Sequence, residues 1–147
     1  MPAIGPSVLE DYLKRYGWRF NRAGESSWTT GWREGERFYS LAIDLDEHWV
    51  SFSVSPLVHL AVEWLAAPDL SKHILELNNT SQMVKLALDE HGHVVMRIQV
   101  LGSQFGYEEF SHILGIIGYY AETLGDSITR VVRDRGFPQE AAQTLLT

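Results

Sequence analysis

The sequence predicts a single α+β domain, an antiparallel sheet with helices packed on one face, in the order α-β-β-β-α-β-β-α. Two observations predict the sheet: two sets of strands joined by short turns each place apolar side chains on one side only. A third observation predicts the helices, because apolar residues in three other segments recur at intervals of three and four. Helices that cover one face of an antiparallel sheet are typical of an α+β domain.

The composition agrees with one domain over residues 1–147, with a peripheral tail over about 137–147. Hydrophobic residues make up 45% of the chain, which is enough for a continuous core. The chain has no cysteine, which excludes disulfides and thiolate chemistry and is compatible with a reducing compartment. The N-terminus lacks the features of a signal peptide, and no stretch approaches the ~20 apolar residues of a membrane span. We therefore expect a cytoplasmic protein with no membrane partner.

The charge of the chain argues against nucleic acid as a partner. The net charge is −7 and the isoelectric point is about 5.3, whereas binders of nucleic acid need a clustered basic face. The only basic cluster comprises Arg130, Arg133 and Arg135, near the end of a predicted helix. Cations there complement the helix dipole, which explains the cluster without a nucleic acid.

The first predicted helix begins with Ser7 as its N-cap, runs to about Tyr16 and ends at Gly17. We also expect a short strand around Trp18–Phe20. The buried stripe of the helix consists of Leu9, Tyr12, Leu13 and Tyr16.

Three strands follow, with turns predicted at Glu34–Gly35 and Asp46–Glu47. The first turn places Trp28 opposite Leu41, and the second places Ile43 opposite Val50. Both turns assign the same set of residues to one side of the sheet, which we predict to be the core: Trp28, Tyr39, Leu41, Ile43, Val50, Phe52 and Val54.

Pro56 is predicted to end the last of these strands, because proline cannot donate to a ladder. The connection Val58–Ala67 is compatible with either a helical turn or an irregular segment. A second helix is predicted from Asp69 to Asn79, entered through Pro68.

A second hairpin has the loop Glu90–Gly92, with Gly92 in the left-handed conformation. It pairs Leu88 with Val94, Leu86 with Met96 and Val84 with Ile98. The last helix is predicted from Gly106 to Gly136, with Pro138 preventing its continuation. Its buried stripe consists of Phe110, Ile113, Leu114, Ile117, Ala121, Leu124 and Ile128.

The segment Leu75–Asn79, the hairpin Val84–Arg97 and the glutamate-rich start of the last helix resemble the YbjN-type proteins, which share the fold of bacterial type III secretion chaperones. The pattern is a helix ending in Leu-x-Leu-Asn, a strand, an acidic-glycine turn, a strand and a long amphipathic helix. It covers roughly Leu70–Leu124, and the earlier part agrees in element order. The resemblance implies a homodimer that holds an extended segment of another protein, and it implies no catalytic residues.

The sequence carries no convincing motif for catalysis or for binding a metal or cofactor. His91 and His93 flank a turn glycine without a third ligand at a suitable spacing. Asp44, Asp46 and Glu47 lack the glycine and the closing glutamate of a calcium loop. No Gly-x-Ser-x-Gly elbow, phosphate loop or dinucleotide fingerprint is present. We therefore expect neither an enzyme nor a protein that needs a cofactor.

The outer side of the sheet is the main candidate for a functional surface, because apolar side chains grouped on a polar surface often mark an interface. The predicted protein-binding residues are Phe38, Ser40, Ala42, Trp49, Ser51, Ser53, Met83, Lys85, Val95 and Arg97. The hypothesis is a chaperone-like or adaptor homodimer that holds a segment of a client protein. The alternative is a regulatory domain that binds a small molecule near the aromatic residues Trp18, Trp28, Trp32 and Trp64.

Two glycines inside the last helix, Gly115 and Gly118, cost roughly 1 kcal/mol each relative to alanine. Two explanations remain open. Either the helix packs closely on its own sheet at these positions, or a helix or strand of a partner subunit approaches there.

Overall fold

The computed structural model describes residues 4–58 and 68–134. The expected tail over about 137–147 lies outside this range, and so does the Val58–Ala67 connection from position 59 onward. The helices are α1 Pro6–Tyr16, α2 Pro68–Thr80 and α3 Tyr107–Asp134. The strands are β1 Phe20–Gly24, β2 Ser27–Glu34, β3 Arg37–Leu45, β4 Trp49–Val58, β5 Lys85–Leu88 and β6 Val94–Leu101.

The six strands form one antiparallel sheet in the order β1-β2-β3-β4-β6-β5. This is the predicted α+β class. The additional strand expected near the start is present as β1, but it covers Phe20–Gly24 rather than Trp18–Phe20. Four strands therefore precede α2, and a single turn of 3₁₀ helix, Gly102–Gln104, joins β6 to α3.

The predicted core face is correct. Its seven strand residues are at most 2% exposed, and they form one cluster with apolar residues of all three helices. The pairing partners in the first two hairpins, however, were predicted two residues out of register. Trp28 lies opposite Ile43 rather than Leu41, and Ile43 lies opposite Phe52 rather than Val50. A shift of two residues keeps every side chain on its face, because side chains alternate along a strand.

Local turn geometry explains both shifts. The β2–β3 turn comes one residue later than predicted, because Glu34 pairs with Arg37 and Gly35 adopts the positive φ of +62°. In the β3–β4 turn, the Asp46 carboxylate accepts the backbone N–H groups of His48 at 2.8 Å and Trp49 at 2.7 Å. These two bonds lower the pKa of Asp46. The carboxylate thus holds the turn.

The second hairpin has the predicted register, with Leu86 opposite Met96 and Leu88 opposite Val94. Gly92 has φ +83°, as the predicted loop requires. The ladder ends at Lys85, however, so the expected pair of Val84 with Ile98 does not form part of it.

Two predicted boundaries are wrong, and proline explains both. Helix α1 begins at Pro6 with Gly5 as its N-cap, rather than after Ser7, because proline at the first position has no N–H to satisfy. Strand β4 continues past Pro56 to Val58, with a register shift after Val54. A proline is tolerated at such an irregularity, where no ladder bond needs its missing N–H.

The buried Trp28 connects the sheet to α1 through its one polar atom. Its side chain is 0% exposed, and its Nε1–H donates to Oε2 of Glu10 at 2.8 Å. Glu10 also lies 3.6 Å from Arg22, in a partly exposed ion pair that contributes little to stability. The carboxylate of Glu10 therefore satisfies a donor that would otherwise be buried without a partner.

We predict that Glu10→Leu lowers the free energy of unfolding by about 1–3 kcal/mol, because it strands the indole N–H of Trp28. Glu10→Gln retains an acceptor oxygen and should lower it by less than about 1 kcal/mol. Urea unfolding followed by tryptophan fluorescence measures both values. Equal losses in the two variants would contradict a role for this hydrogen bond.

Candidate protein-binding surface

The outer face of the sheet is the side away from the core, and no helix in residues 4–58 and 68–134 packs on it. The buried apolar side chains of α1, α2 and α3 belong to the core cluster on the opposite side. On the outer face, Phe38 remains 44% exposed and Trp49 remains 41% exposed. Large apolar side chains that remain exposed beside small polar ones are a feature of binding surfaces.

Strand pairing brings most of the predicted outer residues into one continuous row. Ala42 of β3 pairs with Ser53 of β4, Ser53 pairs with Arg97 of β6, and Arg97 pairs with Lys85 of β5. The Nε of Arg97 donates to Oγ of Ser53 at 3.3 Å. These contacts place two small residues and two cations side by side across four strands.

Ser40 and Ser51 lie on either side of this row, two residues along β3 from Ala42 and two residues along β4 from Ser53. Ser40 pairs with Gly31 of β2, and Oγ of Ser51 accepts a hydrogen bond from Nε2 of Gln99 at 3.1 Å. Ser40 is exposed, and Ser51 is half-buried. Because the serine side chains are short and carry hydroxyl groups, most of the surface between the two exposed aromatic side chains is shallow and polar.

The outer face also includes residues of β2 that the sequence interpretation left out. The ring of Phe38 lies over Gly31, where a Cβ atom would come within 2.5 Å of Cζ of Phe38 and 2.6 Å of the Tyr39 carbonyl oxygen. Beside it is a depression of about 460 Å³, lined in part by Arg19, Asn21 and Thr29. A glycine inside a strand is a signal for close approach, and Gly31 could have revealed this contact.

Val95 does not contribute to the accessible surface, contrary to the sequence prediction. It is 1% exposed, and its neighbours Val94 and Met96 are buried as well. Consecutive strand residues point to opposite faces, so both faces of the sheet are covered at this position. The register shift in β4 between Val54 and Val58 occurs opposite these residues, where simple alternation fails to predict exposure.

Met83 is not on the outer face either. It precedes β5 and has φ +68°, so it interrupts the alternation that the prediction assumed. Its side chain is 55% exposed and lines a groove on the helix side, together with Val100, Ile113 and Ile116.

The polar side chains that could suggest chemistry have structural roles. The Asp89 carboxylate accepts the N–H groups of His91 at 2.8 Å and His93 at 2.9 Å, which closes the β5–β6 turn. Desolvation opposes the effect, but these hydrogen bonds lower the pKa of Asp89. Arg37 pairs with Asp126 at 2.7 Å and so links β3 to α3. Among the described residues, no three His, Asp or Glu side chains gather into a metal site.

The aromatic residues of the alternative hypothesis pack on one another. Trp18 stacks on Trp32 with centroids 5.7 Å apart, and Trp32 stacks on Tyr39 at 5.0 Å. Trp28 is fully buried, and Trp64 lies outside the described residues. The rings that the structure describes are therefore used for packing.

The two glycines of α3 do not pack closely within the described part of the chain. A Cβ atom at Gly115 or Gly118 would have no atom within 4 Å. The first explanation, close packing on the chain's own sheet, is therefore wrong. Tyr119 beside them is 64% exposed, whereas Tyr120 packs against the core, so the neighbouring tyrosines point in different directions as expected.

No helix in the described ranges is long and apolar enough to span a membrane.

Comparison with known proteins identifies the fold. No protein-family model and no curated protein sequence matches the chain. Solved structures do match it. YbjN from E. coli aligns with a TM-score of 0.59 and 18% identity over 90% of this chain and 93% of that chain.

Two structures from type III secretion also match the chain, with lower TM-scores and over a smaller share of it. One is the heterodimeric complex ExoU–SpcU of Pseudomonas aeruginosa, with a TM-score of 0.56 and 17% identity over 79% of this chain and 93% of that chain. The other is the Yersinia pestis chaperone SycH in complex with a stable fragment of YscM2, with a TM-score of 0.53 and 17% identity over 81% and 98%. The chain therefore has a YbjN-type fold, which is also the fold of type III secretion chaperones.

Proposed function

We propose that this chain is a non-catalytic protein-binding module, chaperone-like or adaptor in action, that holds a segment of a client protein on the outer face of its sheet. The observation that carries the proposal is the one-sided arrangement of the described helices. All of them pack on the core face, and Phe38 and Trp49 stay exposed on the other side.

The chemistry of the outer face suits an extended protein segment. The side chains between Phe38 and Trp49 are short, and Ser40, Ala42 and Ser53 lie on adjacent strands. Short side chains let a backbone approach the sheet, and the aromatic groups at either end provide apolar anchors. The cations Lys85 and Arg97 at the far side of the row favour an acidic group in the client.

The structural neighbours support this class of function. SycH was solved with a fragment of YscM2, and ExoU–SpcU is a heterodimeric complex, so proteins of this fold bind other proteins.

A site for a small molecule among the tryptophan residues has less support, because Trp18, Trp28 and Trp32 are packed into the fold. The acidic net charge of −7 disfavours nucleic acid, and the lack of cysteine suits the cytoplasm as the place of binding.

We further propose that the chain acts as a homodimer and that α3 contributes to the contact. Gly115 and Gly118 expose helix backbone next to Tyr119, and nothing in the described chain uses the space above them. Glycine inside a helix lowers stability, so a second subunit that packs there would offset the cost.

We predict that replacing Phe38 and Trp49 together by serine reduces client capture about tenfold or more, because it removes both apolar anchors. Val8→Ser is the matched control, since Val8 is 37% exposed but lies on α1, on the other side of the sheet. Quantitative capture from a lysate of the source organism compares the three proteins. Equal recovery of the same partners by all three would contradict the outer-face proposal.

We predict that Gly115→Ala and Gly118→Ala each raise the free energy of unfolding of the monomer by about 0.5–1 kcal/mol, because alanine has room there and favours the helix. In a dimer that packs on these positions, the same changes weaken self-association. Thr123→Ala is the control, at an exposed position farther along α3. Sedimentation velocity over a concentration series measures association, and a parent protein that stays monomeric would contradict the dimer.

A further inference from the structure

The outer face of the sheet carries a charge opposite to that of the chain as a whole. The chain has a net charge of −7, yet in the described strands Asp44 is the only acidic residue on this side. Four cations lie on the same side: Arg19, Arg33, Lys85 and Arg97. The outer face is therefore a positively charged surface on an acidic protein.

Strand register and the shape of the surface place the two arginines near the start of the chain on the outer face. Arg33 of β2 lies directly opposite Phe38 of β3, and residues paired in this way share a face. Arg19 comes just before β1 and lines the depression beside Phe38 and Ser40. Both arginine side chains are exposed. Their guanidinium groups are accordingly accessible next to the ring of Phe38.

The four cations of the outer face have no ionic partner in the part of the chain that the structure describes. The ion pairs found there use other cations, namely Arg22, Arg37, Lys72 and His91. Arg97 donates instead to the neutral hydroxyl of Ser53. Asp44 accepts a hydrogen bond from Oγ of Ser27 at 2.6 Å. Positive charge that is not neutralised within the chain attracts an acidic partner.

A row of outward-facing residues crosses all six strands between these cations. In the order in which its members pair, the row consists of Asn21, Thr29, Ala42, Ser53, Arg97 and Lys85. We call this row the trough, because the side chains in its middle are short. Phe38 lies four residues along β3 from Ala42, and Trp49 lies four residues along β4 from Ser53. Since β3 and β4 are antiparallel, the two aromatic side chains flank the trough on opposite sides.

The trough has cations at both ends and none in its middle. Arg97 and Lys85 form one end, on β6 and β5, and Arg19 lies at the other end, beside β1. Strands β1 and β6 are four steps apart in the sheet, which is roughly 19 Å at about 4.8 Å per step. Since the Debye length is about 8 Å at physiological ionic strength, the two ends act independently. Each end thus needs an acidic group of its own.

We infer that the trough binds an acidic polypeptide segment that lies across the strands and carries two carboxylate groups about six residues apart, at roughly 3.3 Å per residue. One carboxylate meets Arg97 and Lys85, and the other meets Arg19. The stretch between them has small or apolar side chains, which contact Phe38 and Trp49. This inference rests on the outer-face function proposed above, and it adds the charge and the direction of the client segment.

A single strand of nucleic acid fits the trough less well than an acidic polypeptide does. Such a strand has a phosphate at every nucleotide and binds along a continuous basic groove. The middle of the trough is neutral at Thr29, Ala42 and Ser53. The net charge of −7 also repels a long polyanion. Two acidic groups separated by a neutral stretch match the observed distribution of charge.

The test is selection of binders from a random library of twelve-residue peptides displayed on phage, with the full chain as bait. We expect selected peptides to be enriched in aspartate or glutamate at two positions about six residues apart. Lys85→Glu and Arg19→Glu should each weaken binding of a selected peptide about tenfold, and together about a hundredfold, because the two ends act independently. Lys14→Glu is the control, an equal change of charge at an exposed position of α1, and should leave binding unchanged.

Shortening the charge pattern of the peptide assigns each acidic group to its end of the trough. Replacing the acidic residue at one end of a selected peptide by glutamine should make binding insensitive to one of the two charge reversals. The other reversal should still weaken it about tenfold. Sensitivity of both peptide ends to the same reversal would contradict a segment that lies across the strands.

Two further results separate this inference from the function on which it rests. Binding that is lost when Phe38 and Trp49 are replaced by serine, but is unchanged by both charge reversals, would overturn the inference and leave the outer-face proposal standing. Binding that is unchanged by the double serine variant would contradict the outer-face proposal itself.

Other occupants of the trough would also be recognised in these experiments. Selected peptides without acidic enrichment, or no selected peptide at all, would overturn the inference. Displacement of the peptide by an equal concentration of single-stranded DNA would overturn it in favour of nucleic acid. Self-association of the chain that Lys85→Glu abolishes, in place of peptide binding, would overturn it in favour of a second copy.

Discussion

The alternation of side chains along six paired strands is the constraint on which the rest of this structure depends. Strands β2, β3, β4 and β6 each direct large apolar residues to one side, and pairing brings these sides onto a single face. That face must be covered, and α1, α2 and α3 cover it with one continuous core. The same alternation directs serine, alanine and isolated aromatic side chains to the opposite face, where the described helices do not reach. The surface proposed for binding is thus a consequence of how the core is formed.

The sequence was sufficient to predict which face the residues of β2, β3 and β4 occupy, but not which residues pair in their two hairpins. Trp28 and Ile43 were correctly assigned to the core, although their predicted partners were two positions away. Alternation has a period of two, so an error of two residues leaves the face unchanged. The exact register depends on turn details such as the positive φ of Gly35 and the hydrogen bonds of Asp46. The hairpin at Gly92 was predicted correctly because its loop type has a clear glycine signal.

The errors occurred where tertiary structure overrides alternation. Val95 was assigned to the surface, but the sheet is covered on both sides at its position. Met83 was assigned to the outer face, but its positive φ turns the chain before β5 begins. The side-chain amide of Asn78 accepts from the N–H of Leu86 at 2.6 Å and donates to its C=O at 3.0 Å, and this contact depends on where α2 ends in space. The unequal lengths of β5 and β6, four and eight residues, are also not predicted by any local pattern.

The central claim is that one face of the sheet is buried by helices while the other is accessible in the isolated chain. Hydroxyl-radical footprinting of the purified protein tests it directly, because oxidation depends on side-chain exposure. Our account predicts rapid oxidation of Phe38 and Trp49 and strong protection of Trp28 and Phe52, which are at most 1% exposed. Protection of Phe38 and Trp49 equal to that of Trp28 in the monomer would contradict it.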